Sequence, residues 1–316
     1  MLSRIAESLF WIGRYLQRSE YTARILDTHI QLVNEAPDMD TNEVLQALMH
    51  VMDQPVTVND GEVSVEAILG TLAYDAFNPS STDGALLAAR ENARRAREVI
   101  STELWETLNT TRLTIEAINQ QPYRSAHEHF VWIRERVAMA KGIIDSATSR
   151  DDSWNFLVLG MAIESADMTA RLVLTQTELG ERGPSWVTLL RSCNAYEAYI
   201  RAVGGLGDDR QIAAFLLRDQ LFPRSILSSL STCDEMLISL EGQQSSLYSR
   251  TIALSDARNA LGSARALLAF TEFDELLAQL PEFMEQVERA CSKASDAIRV
   301  RYFPTGSLAE WMGETL

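Results

Sequence analysis

Apolar residues recur every three or four positions along almost the whole chain, and stretches that alternate apolar and polar residues are missing. Near the start, Ile5, Leu9, Ile12, Leu16, Ala23, Leu26, Ile30 and Val33 fall on one helical face, with the small Ser19 completing the row. Such a stripe marks a helix laid against a core. Eight prolines, at 37, 55, 79, 122, 184, 223, 281 and 304, punctuate the pattern. Proline sits well at or before a helix start, where its missing N–H costs nothing. The pattern predicts helices over 3–35, 41–52, 63–73, 82–120, 124–148, 151–181, 184–205, 209–219, 223–241, 247–278 and 281–301, then a short amphipathic turn at 306–313. No segment reads as a strand. The expected class is all-α. At ~1.5 Å per residue the first helix is about 50 Å long, the length of a helix that runs through a whole bundle.

The chain also matches itself. At an offset of 147 residues, GRYLQRSEYTAR (13–24) lies over GMAIESADMTAR (160–171), with identities at Gly13/Gly160, Thr22/Thr169, Ala23/Ala170 and Arg24/Arg171. Gln17 faces Glu164, Glu20 faces Asp167, and the apolar row continues through Ile12/Leu159, Leu16/Ile163, Ser19/Ala166 and Leu26/Val173. The same offset sets VEAIL (65–69) over IAAFL (212–216). After a slip of three residues NPSSTDGAL (78–86) lies over FPRSILSSL (222–230), keeping Pro79/Pro223, Ser81/Ser225 and Leu86/Leu230. Three blocks in one order predict two pseudo-equivalent halves, about 1–147 and 148–316, packed as a single domain over 1–316.

Both copies follow G-x(3)-[QE]-x(2)-[ED]-x-T-A-R. On a helix Gly13, Gln17, Glu20 and Arg24 form one polar stripe, and Gly160, Glu164, Asp167 and Arg171 form another. Taken alone, Glu20/Arg24 and Asp167/Arg171 are i,i+4 pairs of a kind that decorates surfaces and contributes about 0.3–0.5 kcal/mol. Two features point inward instead. The stripes adjoin the apolar row through Ala23 and Ala170, and a mid-helix glycine costs up to ~1 kcal/mol against alanine. Glycine at such a place lets helices approach closely or leaves room for a ligand. Three readings stand at this point: a buried structural pair, a carboxylate or phosphate site served by an arginine fork, and a plain surface pair. The candidate catalytic carboxylates are Glu20, Glu164 and Asp167. The candidate binding residues are Arg14, Gln17, Arg18, Arg24 and Arg171. A second binding candidate is ARENARRARE (89–98), where Arg90, Arg94 and Arg97 share a face beside Glu91 and Glu98. It is either a solvated helix or an anion-facing arginine row. The preceding FNPSS (77–81) offers Asn78 with Ser80 or Ser81 as a turn and cap that would present backbone N–H groups.

Composition narrows the field. A net charge of −16 argues against nucleic acid and anionic lipid, both of which need basic surface, and serves solubility. MLSRIAESLFWIGRYLQRSE at the start carries charge throughout and reads as neither signal peptide nor anchor. Nowhere does an apolar run approach the ~20 residues of a membrane span. Cys193, Cys233 and Cys291 are far apart and odd in number, which fits a reducing cytoplasm better than a disulfide framework. Lys141 and Lys293 are the only lysines among 28 basic residues. With no G-x-x-x-x-G-K-[ST] loop, the chain is expected to carry no ATP site, cofactor or metal of its own. His127 and His129 point about 200° apart on a helix and cannot share a metal, which would need an i,i+4 spacing. The Asp pairs at 151–152 and 208–209 are expected to cap helices.

Four blocks together resemble one family: MLSRIAESLFWIGRYLQRSEYTARILD, FNPSST followed by ARENARRAREVISTELWETLN, RDDSWNFLVLGMAIESADMTARLVL, and LLRSCNAYEAYIR followed by LFPRSI. They are similar in order, and over essentially the whole chain, to the bacterial alpha-E family, all-helical proteins named for a shared Glu-Arg motif. In relatives the motif runs approximately G-R-Y-L-E-R-A-E, and G-x-x-I-E-R-A-D in the second half. This chain departs from it, with Gln17-Arg18 in the first copy and Glu164-Ser165 in the second. Arg18 and Glu164 together could restore one pair across the halves.

The resemblance implies a setting as well: circularly permuted ATP-grasp ligases as partners, with transglutaminase-like or proteasome-like peptidases nearby. It implies amide-bond formation on a peptide substrate, with ATP and magnesium held by the ligase. The expected function is a cytoplasmic accessory or co-catalytic subunit of that ligase, in which Arg24 and Arg171 bind carboxylate or phosphate. Glu20, Glu164 and Asp167 orient the arginines or accept a proton from the attacking amine, and substitution of Arg24 or Glu164 impairs product without unfolding. The rivals are a scaffold whose stripes only make contacts, and an enzyme that acts alone.

Overall fold

A computed structural model describes residues 2–35, 40–54, 63–118, 125–180, 184–242 and 255–303. These residues are all-helical, without a strand. The helices are α1 (Ser3–Glu35), α2 (Thr41–Val51), α3 (Val65–Ile68), α4 (Thr82–Arg95), α5 (Thr102–Ile118), α6 (Ala126–Ala147) and α7 (Asp152–Leu179). They continue with α8 (Trp186–Ser192), α9 (Tyr196–Val203), α10 (Asp209–Arg218), α11 (Ile226–Gly242), α12 (Asp256–Phe270), α13 (Phe273–Ala278) and α14 (Leu280–Tyr302). A π-helical turn, Leu69–Ala73, extends α3. The turn expected at 306–313 lies outside the described residues.

Three long expected helices are broken. The segment 82–120 turns back after Arg95, and Ser101 restarts it by accepting the Leu104 N–H at 3.1 Å. No glycine or proline marks that bend. It is stabilised by what it joins, because Arg90 of α4 reaches Asn109 of α5 at 3.0 Å. The segment 184–205 breaks at Asn194, whose φ of 55° is left-handed, a conformation that asparagine tolerates better than most residues. The third break follows Phe270, where Thr271 (ψ 139°) and Glu272 (ψ 139°) are extended. The Asp pairs do cap helices: Asp151 accepts from Ser153 N at 2.8 Å, and Asp208 forms a capping box with Gln211.

α1 and α7 are the central pair. α4 and α6 flank α1 with α5 behind them, and α11 and α14 flank α7 with α12 behind them. The central helices run parallel, since Gly13 meets Leu157, Arg18 meets Glu164 and Tyr21 meets Thr169 in rising order. Both are covered on nearly every side. Beyond the expected apolar row, Phe10, Tyr21 and Ile25 are buried, and so are Gln17, Glu20, Glu164 and Asp167. The plain surface-pair reading of the polar stripes is therefore wrong.

The glycines explain the burial. A Cβ on Gly13 would lie 2.1 Å from the Leu157 carbonyl oxygen, and one on Gly160 would lie 2.2 Å from that of Phe10. Each glycine admits the other helix's backbone, so the two axes cross where neither has a side chain. Alanine would gain up to ~1 kcal/mol of helix propensity on an open helix. Here it must push two backbones apart, and overpacking of that kind costs about 1–3 kcal/mol. Gly160→Ala is expected to lower the urea-unfolding free energy by about that amount. A stabilised variant would show that the contact does not require glycine.

Candidate functional site

One turn beyond the glycine contact, the two polar stripes are forced together in the interior. Arg18 donates from Nε to Glu164 Oε1 at 2.6 Å and from Nη2 to Oε2 at 3.1 Å. Arg14 sets its Nε 2.5 Å from Glu164 Oε2 and donates from Nη1 to Ser295 of α14 at 3.1 Å. Beside this pair, Gln17 Nε2 reaches Ser165 Oγ at 3.5 Å, and the Tyr21 hydroxyl lies 3.0 Å from Ser165 and from Thr169. The Glu164 side chain is 1 % exposed. Burial opposes its ionisation, yet Arg14 and Arg18 outweigh burial and lower its pKa. Glu164 is thus a fixed anion that anchors two arginines.

Beside Arg18 opens a cleft of about 140 Å³, lined by Glu164, Asp167, Arg171, Ser80 and the end of α2 at Met52 and Asp53. A recess of about 300 Å³ adjoins it through Asp53 and Arg171 and adds Glu178 and Glu288. Arg171 donates from Nε to Asp167 Oδ2 at 3.2 Å, sets its Nη1 3.9 Å from Asp53 Oδ2, and lines both the cleft and the recess. The acids here behave unlike Glu164. Burial raises the pKa of Asp167 against the pull of Arg171. Burial also raises Glu288 to about 7, again against Arg171 and helped by Asp167. Glu288 Oε1 is buried with no hydrogen-bond partner among the described residues. The cleft and recess together therefore combine arginine forks able to hold a carboxylate or phosphate with one carboxylate, Glu288, able to take a proton near neutrality.

The other stripe forms a second cluster on different residues. Glu20 accepts from Arg24 at 3.1 Å and Lys141 at 3.1 Å, and also from Arg224. Lys141 also donates to Gln17 Oε1 at 2.7 Å. Burial opposes ionisation of Glu20, but the three cations hold its pKa far below the usual carboxylate range.

The remaining candidates do not join either cluster. Arg94 pairs with Glu91 at 2.7 Å on an exposed surface, and Arg90 is held by Asn109 and the face of Trp105. Arg94 and Glu91 thus sit on a solvated face, while Arg90 is a half-buried contact to α5. Asn78 serves its own turn, donating to Thr71 O at 3.0 Å and accepting from Ser80 N at 2.9 Å. Ser81, not Ser80, caps α4, and Ser81, Thr82 and Asp83 are buried, so that helix start is closed to an anion. His127 reaches Asp27 and His129 reaches Asp83. No group able to hold a metal is found among the described residues.

Sequence reading missed Asp53, Lys141, Arg224 and Glu288. One signal was present: the 147-residue offset sets Glu288 over Lys141, in register with the stripes, but the opposite charges concealed the match.

Two measurements follow. Loss of Glu164 leaves the Arg14 and Arg18 guanidinium groups without their anion, so its substitution is expected to harm the fold, where the sequence reading expects loss of product without unfolding. Glu164→Ala is expected to destabilise by about 3–5 kcal/mol in urea unfolding; a change below 1 kcal/mol would sink this account of the pair. For Glu288, raised from 4.5 to about 7, the folded state holds the extra proton between those values. Its stabilising contribution is complete below about pH 4.5 and is lost as pH rises through about 7. Glu288→Gln should therefore unfold at higher urea than the parent at pH 8, and the gap should close toward pH 4.5. An equal gap at both pH values would contradict the raised pKa.

The Alpha-E family, described as a predicted alpha-helical domain with a conserved ER motif, matches residues 1–303. Uncharacterized proteins of Mycobacterium bovis and Mycobacterium tuberculosis are each 22 % identical over 324 aligned residues. The match covers 93 % of this chain but 36 % of theirs, so the chain spans about a third of the length of these curated relatives. No solved structure matches. Among the described residues no helix is long and apolar enough to cross a membrane. With its helical content, its buried polar stripes and the family match over residues 1–303, the chain belongs to the Alpha-E family.

Proposed function

We propose that this protein is a cytoplasmic accessory or co-catalytic subunit of an ATP-grasp amide ligase system, acting on a peptide. The observation that carries the reading is the pair of adjoining spaces that share Arg171: the cleft lined by Arg18 and Asp167, and the recess lined by Glu288. The ligase supplies ATP and magnesium and converts a carboxylate to an acyl phosphate. The cleft holds the carboxylate or phosphoryl end through Arg171 and Arg18. The incoming amine attacks the acyl carbon, a C–N bond forms, phosphate leaves, and the amine proton passes to Asp167 or Glu288. A positioned base of this kind is worth about 10²–10⁴-fold. Glu20 and Glu164, held ionised by their cations, are anchors in this scheme and not bases. The greater length of the mycobacterial relatives suits a helical module that works beside another activity.

We also infer that the domain is a tandem duplication, 1–147 and 148–316. Supporting it, Thr22 donates to Ser80 O and Thr169 to Arg224 O, positions aligned by the slipped repeat. Ser81 and Ser225 each donate to the aspartate carbonyl six residues earlier. Arg18–Glu164 and Gln17–Ser165 exchange under the 147-residue offset, as contacts do about a two-fold axis.

The deciding experiment pairs this protein with the ATP-grasp protein encoded beside it and follows ATP consumption and peptide mass. Product is expected only with both proteins present, and Arg171→Gln should lower the turnover of the complex about ten-fold or more. A ligase equally active alone would overturn the proposal. A variant that loses association but not turnover per complex would favour the non-catalytic scaffold.

A further inference from the structure

We propose that the Glu20, Arg24, Lys141 and Arg224 cluster is a binding site for a dianionic phosphoryl group, distinct from the cleft beside Arg18. The first argument is charge. Three cations converge from α1, α6 and the loop before α11 on one carboxylate, which leaves two positive charges without a partner. The next acid along α1, Asp27, is already engaged by Arg134 at 2.9 Å and His127 at 2.7 Å. Tyr21, under the Arg224 guanidinium, and Cys193 nearby do not supply the missing charge, since burial raises each to about 12 and keeps it protonated.

The second argument is an empty donor. Arg224 Nη1 is buried with no acceptor among the described residues. Unpaired buried donors on a charged group are costly, and a phosphoryl oxygen supplies what is lacking. The third is access. The side chains of Arg24, Lys141 and Arg224 are 19 %, 30 % and 12 % exposed, so the cluster is sheltered yet keeps contact with solvent, chiefly through Lys141.

Helix packing alone does not demand this charge. At the 147-residue offset the matching positions are Asp167, Arg171 and Glu288, which carry a net negative charge when ionised. Equivalent framework positions thus bear opposite charge on the two flanks of the α1–α7 contact. The Glu20 flank carries a surplus of positive charge that suits a dianion, whereas the other sets its arginine among carboxylates. The inference goes beyond the ligase reading and stands without it.

The test needs only the purified chain. Its unfolding midpoint is followed while inorganic phosphate replaces chloride at pH 8 and constant ionic strength, with acetate in a parallel series. Phosphate should raise the midpoint saturably, and acetate should not. Lys141→Gln, at the most exposed of the three cations, should weaken the apparent phosphate affinity about ten-fold, the loss of one charge-assisted hydrogen bond. It should be no less stable than the parent in chloride, because it relieves like-charge repulsion. Lys293→Gln, the same charge change at an exposed site on α14, should leave the phosphate response intact. An effect of phosphate no greater than that of acetate would overturn the proposal. So would a Lys141→Gln protein that is destabilised in chloride and still responds fully to phosphate.

Discussion

The close crossing of α1 and α7 governs the rest of this molecule. Two backbones meet where Gly13 and Gly160 have no side chain to hold them apart, and everything one turn further on must face inward. That geometry turns a surface pattern into a buried one. Gln17, Arg18, Glu164 and Ser165 are brought to one level, and a charge placed there must find its partner across the interface or cost several kcal/mol. The Arg14–Glu164–Arg18 group meets that demand. It also fixes how the helices sit: a rotation of α1 by one residue would carry Arg18 away and strand Glu164. A hydrophobic interface would tolerate such a slip better, so the ionic one contributes register more than stability.

The helical class, most element ends and the existence of the stripes could be read from spacing alone. Which side the stripes face could not, because i,i+4 acid–arginine pairs look the same on a surface and in an interior. Gly13 and Gly160 were the informative residues, since an exposed helix gains nothing from them. The bend at Ala96–Ser101 left no trace because it contains neither glycine nor proline. Contacts such as Arg90 to Asn109, made only after folding, hold it. The clusters were half legible for a related reason. Their α1 and α7 members share a local pattern, whereas Asp53, Lys141, Arg224 and Glu288 arrive from four separate segments.

The four central carboxylates show how one helix pair produces two electrostatic environments. Glu20, Glu164 and Asp167 are buried and Glu288 is half-buried, and burial pushes the pKa of each upward. Glu20 and Glu164 receive three and two cations and stay ionised. Asp167 and Glu288 share essentially one, Arg171, and burial prevails over it. The difference is the count of close positive partners: Arg224, Lys141 and Arg24 on Glu20, Arg14 and Arg18 on Glu164, and chiefly Arg171 on the other two.

Acids separated in this way cannot exchange tasks. A carboxylate ringed by three guanidinium and ammonium groups has almost no proton affinity at neutral pH, so it can hold charge in place but not move a proton. A carboxylate that titrates near pH 7 moves protons readily, but its own charge switches with pH and makes it a poor anchor for anions. Environments that push paired groups apart in pKa assign the roles of stabiliser and acid–base. In this chain that separation runs between the stripes and also within the second one, where Glu164 fixes Arg18 while Asp167, one turn on, faces the cleft. Arg18 is thereby oriented by a carboxylate that stays ionised, whereas Arg171 is held by Asp167 and lies beside Glu288, the acid that titrates near neutrality.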